Sequence, residues 1–581
     1  MAWTNLVPAI GQARAYRREW LTKDVVAGLV LTGLLAPAGM AYAAAAGLPP
    51  VTGLYATIVP LFVYALFGPS RILVMGPDSS LTPLIVAAVL PLAAVGTDEA
   101  VALAGALGIL AGVICVAAGL ARFGFISELL SAPVRYGYLH GIAITIIVAQ
   151  AAKLCGFSVK GETIGGQLRQ FVDGLHEGHL NGWALSLGLA SVATIVILRE
   201  LSRKVPGTLI VVVLGVVVAL ALDLRGKGVT LVGDLPRGLP SPALPDVDWS
   251  TTRSLLAASL GIAFVAFADT SVMSRTMALR RHEQVDSNHE LVALGLVNIA
   301  SGMFHGFPIS ASNSRTPVAE SVGSRTQLTG IVAGAALLVI AVAAPATFRH
   351  LPDASLAAIV IAAAISLIDI PAMVRLWRVR RSEFVLSIAA FLAVAFLGPI
   401  NGVVVAVALS VLNFLRRAWK PHTAELVRVD GLKGYHDRAR HPEGRVVPGL
   451  VLYRFDGPLF FANARFFVDD VQRVIDARPD PITCLIITAE PITDIDTTAA
   501  DTLHDLVDQL QARGVALHFA ELKGTVRERL ERYGVFDHHD RPAPARTVGQ
   551  AVKQYLAAQR IDWVDWEERR TGDGDAPPTG G

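Results

Sequence analysis

Apolar stretches of about 20 residues, the length that crosses a bilayer core, recur from Val25 to the region of Leu415 with only short polar breaks between them. The pattern predicts membrane spans over 24–43, 52–68, 72–95, 99–120, 136–153, 181–199, 205–223, 254–278, 289–304, 307–323, 326–347, 355–376, 382–397 and 401–417, about 14 in all. Beyond Arg416, Arg417 and Lys420 the pattern changes: charges become frequent and apolar runs shorten. There, 451–455 and 484–487 read as strands, and 498–511 and 525–533 as amphipathic helices. The organisation predicted is an N-terminal segment 1–23, a transmembrane domain 24–417, a linker 418–445, a small α/β domain 446–560 and a disordered tail 561–581.

Composition agrees with a membrane protein, since 53% of the 581 residues are hydrophobic and only 17% charged. The net charge of +2 comes without a basic patch and gives no support to nucleic-acid binding. Cys115, Cys155 and Cys484 are too widely spaced for a metal or redox motif. With a cytoplasmic N-terminus, the short inside segments carry Arg71, Arg122, Arg135, Arg199, Arg203, Lys204, Arg280, Arg281, Arg375, Arg378, Arg380 and Arg381, as the positive-inside rule requires. The long loops with Lys160 and Arg169, and with Arg225, Lys227 and Arg237, then fall outside, and an even span count leaves both termini cytoplasmic.

Two spans are interrupted. Residues 72–83 and 307–317 each hold an extended run that ends in small polar residues and proline, and each contains Ser-x-Thr-Pro, at Ser80 to Pro83 and Ser314 to Pro317. Each lies third in its own set of seven, which predicts two inverted repeats whose half-helix N-termini meet near the midplane. Such termini carry unpaired N–H groups and about half a positive charge, so two of them form an anion site. The alternative is a chance tetrapeptide in two proline-kinked helices. Arg315 favours the site, because a guanidinium at that depth is costly unless it lines a cavity or finds a partner. Leu81 takes the matching place in the first repeat. Asp269 is set in the apolar run after Leu255; it either exchanges a coupling proton or pairs structurally with Arg315 or a backbone donor. His140 and Gln150 on the fifth span are explained at least as well by structural hydrogen bonds.

The motifs together resemble the sulfate permease (SulP) family, the bacterial relatives of the solute carrier family 26 anion transporters. The resemblance rests on Pro37 to Ala43, Ala46 to Pro50 with Gly53, Leu54 and Tyr55, Asn288 to Leu291 with Gly295 and Asn298, Gly306 to Pro308, Ser314 to Thr316 and Arg325 to Leu328. It implies a seven-plus-seven fold of core and gate domains with the anion between the third and tenth spans, lined by Ser79, Ser80, Ser312, Asn313, Ser314 and Arg315. It also implies a first-span pocket at Ala38 and Tyr42, coupling to H+ or Na+ at Asp269, no cofactor, a bacterial inner-membrane location and a homodimer. One departure is Ala38, where the family usually has Gln; no particular substrate is transferred.

The soluble domain resembles STAS domains through Tyr453 to Leu459, Phe461 to Ala464 and Asp494 to Ala499, which implies a cytoplasmic protein partner. The related anti-sigma antagonists are phosphorylated at the position of Thr497, whereas Asp496 and Thr497 also suit a plain helix cap. No Walker A motif is present, and no nucleophile, base and oxyanion set points to an enzyme. The expectation is gradient-driven transport of a small anion such as sulfate, bicarbonate or a dicarboxylate by alternating access. An uncoupled channel, a nucleobase transporter of the same architecture and a signalling receptor with a STAS output are the competing readings.

Overall fold

The computed structural model describes residues 7–128, 131–159, 163–201, 207–312, 314–536, 544–563 and 565–566. The chain divides into two units, Met1–Val411 and Leu412–Gly581.

The helices before the first soluble strand are α1 (Pro8–Arg14), α2 (Leu21–Ala45), α3 (Pro50–Phe67), α4 (Thr82–Val89), α5 (Asp98–Leu120), α6 (Ala132–Leu154), α7 (Ile164–His176), α8 (Gly182–Leu201), α9 (Gly207–Ala221), α10 (Trp249–Arg281), α11 (Ser287–Met303), α12 (Arg315–Val322), α13 (Leu328–Ala343), α14 (Asp353–Ile365), α15 (Ile370–Val379), α16 (Arg381–Leu397) and α17 (Pro399–Trp419). Among the described residues, eight helical segments are long and apolar enough to cross a membrane, and α9 and α13 are shorter apolar helices. Every predicted span contains a helix, and the third and tenth contain half-helices, α4 and α12, each preceded by a two-residue strand, β1 (Met75–Gly76) or β2 (Ser310–Ala311). Pro77 and Pro308 favour extended backbone just before them, and Pro83 and Pro317 sit in the first helical turns, where the missing N–H costs nothing.

Two local differences stand out. The span predicted over 355–376 is broken into α14 and α15; Asp369 caps α15 by accepting from Ala372 N at 2.9 Å, and Pro371 follows at the helix start. Part of the long loop after the fifth span is the amphipathic helix α7, N-capped by Thr163.

Glycines set the closest packing. On crossing helices α5 and α11, a Cβ on Gly302 would lie 2.3 Å from the Gly105 carbonyl oxygen, and one on Gly112 2.6 Å from that of Gly295. Between α2 and α3, a Cβ on Gly53 would lie 1.9 Å from the Gly39 carbonyl oxygen. Without a strong hydrophobic drive between helices in lipid, such backbone approach is what holds them together. On α8 only Ala184, Gly188, Ser191 and Ile195 are buried, a single helical stripe, and apolar side chains such as Leu189 and Ile197 stay exposed, as suits a lipid-facing helix.

The second unit is a sheet of order β4-β3-β5-β6-β7, with β3 (Thr423–Arg428), β4 (Tyr435–Asp437), β5 (Leu450–Phe455), β6 (Cys484–Thr488) and β7 (Ala516–Ala520). Strands β5, β6 and β7 are parallel, and β3 is antiparallel to β4 and β5. Helices α18 (Ala464–Asp476), α19 (Thr497–Ala512), α20 (Gly524–Arg532) and α21 (Val548–Gln559) complete it. Val451, Tyr453, Leu485 and Ile487 pack on one face with Phe467 and Leu506; Leu450, Leu452 and Ile486 pack on the other with Val552 and Tyr555. The region predicted as a linker therefore contributes β3 and β4. Its charges are absorbed within the unit: Glu425 pairs with Arg438 and Arg478, and buried Arg428 with Asp565. Apart from 561–563 and 565–566, the predicted tail lies outside the described residues.

Candidate functional site

The two broken spans meet at their extended segments. Strands β1 and β2 pair antiparallel, Met75 opposite Ala311 and Gly76 opposite Ser310. The pairing continues as Ser312 N donates to Val74 O at 2.9 Å, and Val74 N donates to the Thr316 hydroxyl at 3.1 Å. Antiparallel pairing brings the starts of α4 and α12 to one place from opposite chain directions, as two inverted repeats demand.

The middle of α10 holds both segments. Asp269 Oδ2 accepts from the Ser80 hydroxyl at 2.6 Å, and the next side chain, Thr270 Oγ1, accepts from Ala311 N at 3.1 Å. This helix is 33 residues long, about 50 Å, and its N-terminus is fixed by Asp248 accepting from Ser250 N and Thr251 N. Asn298 on α11 adds a clamp: its amide donates to Leu294 O and Ile309 O and accepts from Ile309 N.

Arg315, the first residue of α12, is 4% exposed. Its Nε donates to the Ser312 hydroxyl at 2.7 Å, its Nη2 donates to Pro77 O, and the guanidinium lies 5.9 Å from the centre of the Tyr42 ring. The remaining nitrogen, Nη1, is buried and has no hydrogen-bond partner among the described residues. A Cβ on Gly76 would lie 3.5 Å from it, so glycine leaves the space in front of the guanidinium open.

Ser79, Ser80, Ser312, Arg315, Asp269 and Tyr42 therefore come together and are buried, with the Tyr42 hydroxyl interacting with Ser79. Ser314 is exposed and contacts Ser312 between hydroxyls at 3.3 Å. Asn313 lies outside the described residues. Ala38 is buried one turn before Tyr42 on the same face of α2. The pairing of Asp269 with Arg315 or a backbone donor is not found among the described residues; its partner is the Ser80 hydroxyl.

Asp78 escaped the sequence reading. It is 5% exposed, accepts from Ser80 N at 3.2 Å, lies 3.1 Å from Ser80 Oγ through the same Oδ2, and acts electrostatically on Arg315. The reasoning that singled out Asp269, an acid within an apolar span, applies equally to it. Glu290 was visible only as part of a motif; it is buried and accepts from the hydroxyls of Tyr64 and Ser274 at 2.5 and 2.9 Å. His140 is structural, its Nε2 accepting from Asp369 N at 2.8 Å.

In the second unit Asp496 caps α19, accepting from Ala499 N at 2.8 Å, and holds Phe461 N at the same distance. Thr497 is exposed at the first helical position.

Comparison with known proteins shows the family of the chain. The sulfate permease family matches residues 21–390, and the STAS domain matches residues 441–551. The chain belongs to the sulfate permease family. This family member is 41% identical over 556 residues to a probable sulfate transporter of Mycobacterium tuberculosis, covering 96% of the chain and 99% of that protein. It is 31% identical over 487 residues to human solute carrier family 26 member 6, covering 78% of the chain and 63% of the human protein. Among solved structures, SLC26A9 superposes with a TM-score of 0.87 at 23% identity, covering 96% and 93% of the two chains. The transmembrane domain of the cyanobacterial bicarbonate transporter BicA superposes with a TM-score of 0.60 at 23% identity, covering 67% of this chain and 98% of that one. This family member is thus a multi-pass membrane protein of the seven-plus-seven inverted-repeat fold with a C-terminal STAS domain, and its family is one of transporters, not enzymes.

Proposed function

We propose that the protein carries a small anion by secondary active transport, with the anion held at the paired starts of α4 and α12. The observation that carries this reading is the Arg315 guanidinium: two of its nitrogens are tied to Ser312 and Pro77, one from each broken span, while Nη1 is buried without a partner among the described residues. A buried charged donor left unmade costs more than an ordinary hydrogen bond gains, and an oxyanion supplies both the missing acceptor and the opposite charge. Sulfate comes first in the substrate class of this reading, which the name of a relative, a probable sulfate transporter, supports; bicarbonate and dicarboxylates come next.

Coupling to protons is supported by a count of hydrogens. Ser80 Oγ lies 3.1 Å from Asp78 Oδ2 and 2.6 Å from Asp269 Oδ2, yet a hydroxyl has one hydrogen to donate. Both contacts are satisfied when one of the two carboxyls carries a proton and donates back to Ser80. Asp269 is the coupling residue in this reading, Asp78 its neighbour, and the carrier works by alternating access with gradient energy. An inner-membrane location, cytoplasmic termini and a homodimer belong to the same proposal.

The test is uptake of labelled sulfate, bicarbonate, succinate and chloride into liposomes reconstituted with the purified full chain, with and without imposed proton or sodium gradients. Saturable uptake of at least one anion, driven by a gradient, is expected. Conductance without saturation, or no flux of any of the four, overturns the reading.

A further inference from the structure

Lys153 and Gln150 have no part in the Arg315 site, yet both sit near the end of α6 and line a separate cavity of about 80 Å³ between α6 and α4. Thr82, Thr145, Ser158 and Gln167 supply further polar groups to its wall, and among the described residues no Asp or Glu lines it. The space suits two or three waters at about 30 Å³ each, the scale of a partly dehydrated oxyanion.

Three observations point to a ligand. Gln150 is 3% exposed, and its side-chain amide, on the wall of the cavity, makes no hydrogen bond to another described residue, unlike His140 on the same helix. Lys153 donates to the Ala44 carbonyl, which uses one of the three donors of an ammonium group. The acid whose field reaches it, Asp353, is not within ion-pair distance and does not line the cavity. The cavity also includes Thr82 and Pro83, in the first turn of α4, two and three positions after the Ser80 of the main site. It therefore runs from the start of the half-helix that bears the main site toward the chain segments at Gly47, Val95 and Ser158.

We propose that Gln150 and Lys153 form a second anion station, occupied by a small oxyanion on its way to or from Arg315. This rests on the transport reading for its purpose but not for its chemistry. Lys153 contributes charge, Gln150 contributes two N–H donors, and the neighbouring hydroxyls complete the shell. A structural lysine bound only to Ala44 would leave the unpartnered amide unexplained.

The test measures charge preference inside the cavity, with no flux required. In full-length protein with Cys115, Cys155 and Cys484 replaced by alanine, Gln150→Cys and, separately, Ser158→Cys are treated with a negatively charged sulfonate thiosulfonate reagent and a positively charged trimethylammonium one. The anionic reagent is expected to react about tenfold faster at both positions, sulfate to slow it, Lys153→Met to erase the preference and Lys153→Arg to keep it. Equal rates for the two reagents, no reaction at either position, or a preference that survives Lys153→Met overturns the station. If the preference appears in a protein that carries none of the tested anions, the station stands and the transport reading falls.

Discussion

The Ser80 hydroxyl on the first broken span lies 2.6 Å from Asp269 Oδ2 on α10, although 189 positions separate the two residues in the chain. With Thr270 holding Ala311 of the second broken span, a single turn of α10 fixes both halves of the candidate site to one rigid helix. Movement of α10 carries both halves with it, which is what a site transported as a unit requires.

Asp269→Asn keeps an acceptor for Ser80 and removes the titratable carboxyl. Proton-gradient stimulation of uptake is expected to disappear, while exchange of labelled for unlabelled anion at equal pH continues. Uptake with and without an imposed pH gradient checks this. Full stimulation in the variant would remove Asp269 from the coupling step.

Gly53→Ala places a methyl where the Gly39 carbonyl oxygen would be 1.9 Å away. Helices α2 and α3 must separate to accept it, and overpacking of this kind costs about 1–3 kcal/mol or more. A lower yield of monodisperse protein and a lower melting temperature in detergent are expected, with Gly11→Ala, which meets nothing within 4 Å, as the neutral control.

Asn298→Ala strips the Ile309 N–H of its acceptor and the Ile309 carbonyl of a donor at a buried position. The unsatisfied groups cost about 1–3 kcal/mol each, and the β2 segment loses its clamp. Reduced thermal stability together with weaker anion affinity is expected from melting and binding curves.

Much of this architecture is legible in the sequence, for reasons particular to it. Long apolar runs announce the spans, and the two Ser-x-Thr-Pro sites announce the half-helices because proline and clustered small polar residues interrupt an apolar pattern. What stays hidden depends on partners distant in the chain. The β1–β2 pair is only two residues long on each side, too short to show a period. Strand β3 reads as linker because Glu425 and Arg428 look solvated until Arg478 and Asp565 arrive to pair with them. The α14–α15 break did carry a local sign, Asp369 followed by Ile370 and Pro371, the cap and early proline that open a helix. Gln150 reads as an ordinary buried amide, and only the fold shows that it has no hydrogen-bond partner among the described residues.

Cys484 on β6 is buried, and burial pushes its thiol from its ordinary value near 9 up to about 12. The folded state therefore holds its proton more tightly than the unfolded chain, so this contribution to stability is complete below pH 9 and is lost as pH rises toward 12. A STAS domain that unfolds at lower denaturant concentration as pH climbs through that window is expected, and Cys484→Ala should weaken the dependence. Thiol reagents at pH 8 should label Cys484 only after unfolding.

Anion binding in this protein depends most directly on Arg315 Nη1, buried without a partner among the described residues. Equilibrium binding of labelled sulfate, or of whichever anion the uptake panel identifies, should be compared between the native protein and Arg315→Met. Loss of a charge-assisted contact predicts a Kd raised about 10- to 100-fold in a variant that still folds, and an unchanged Kd would contradict an anion site at the paired starts of α4 and α12.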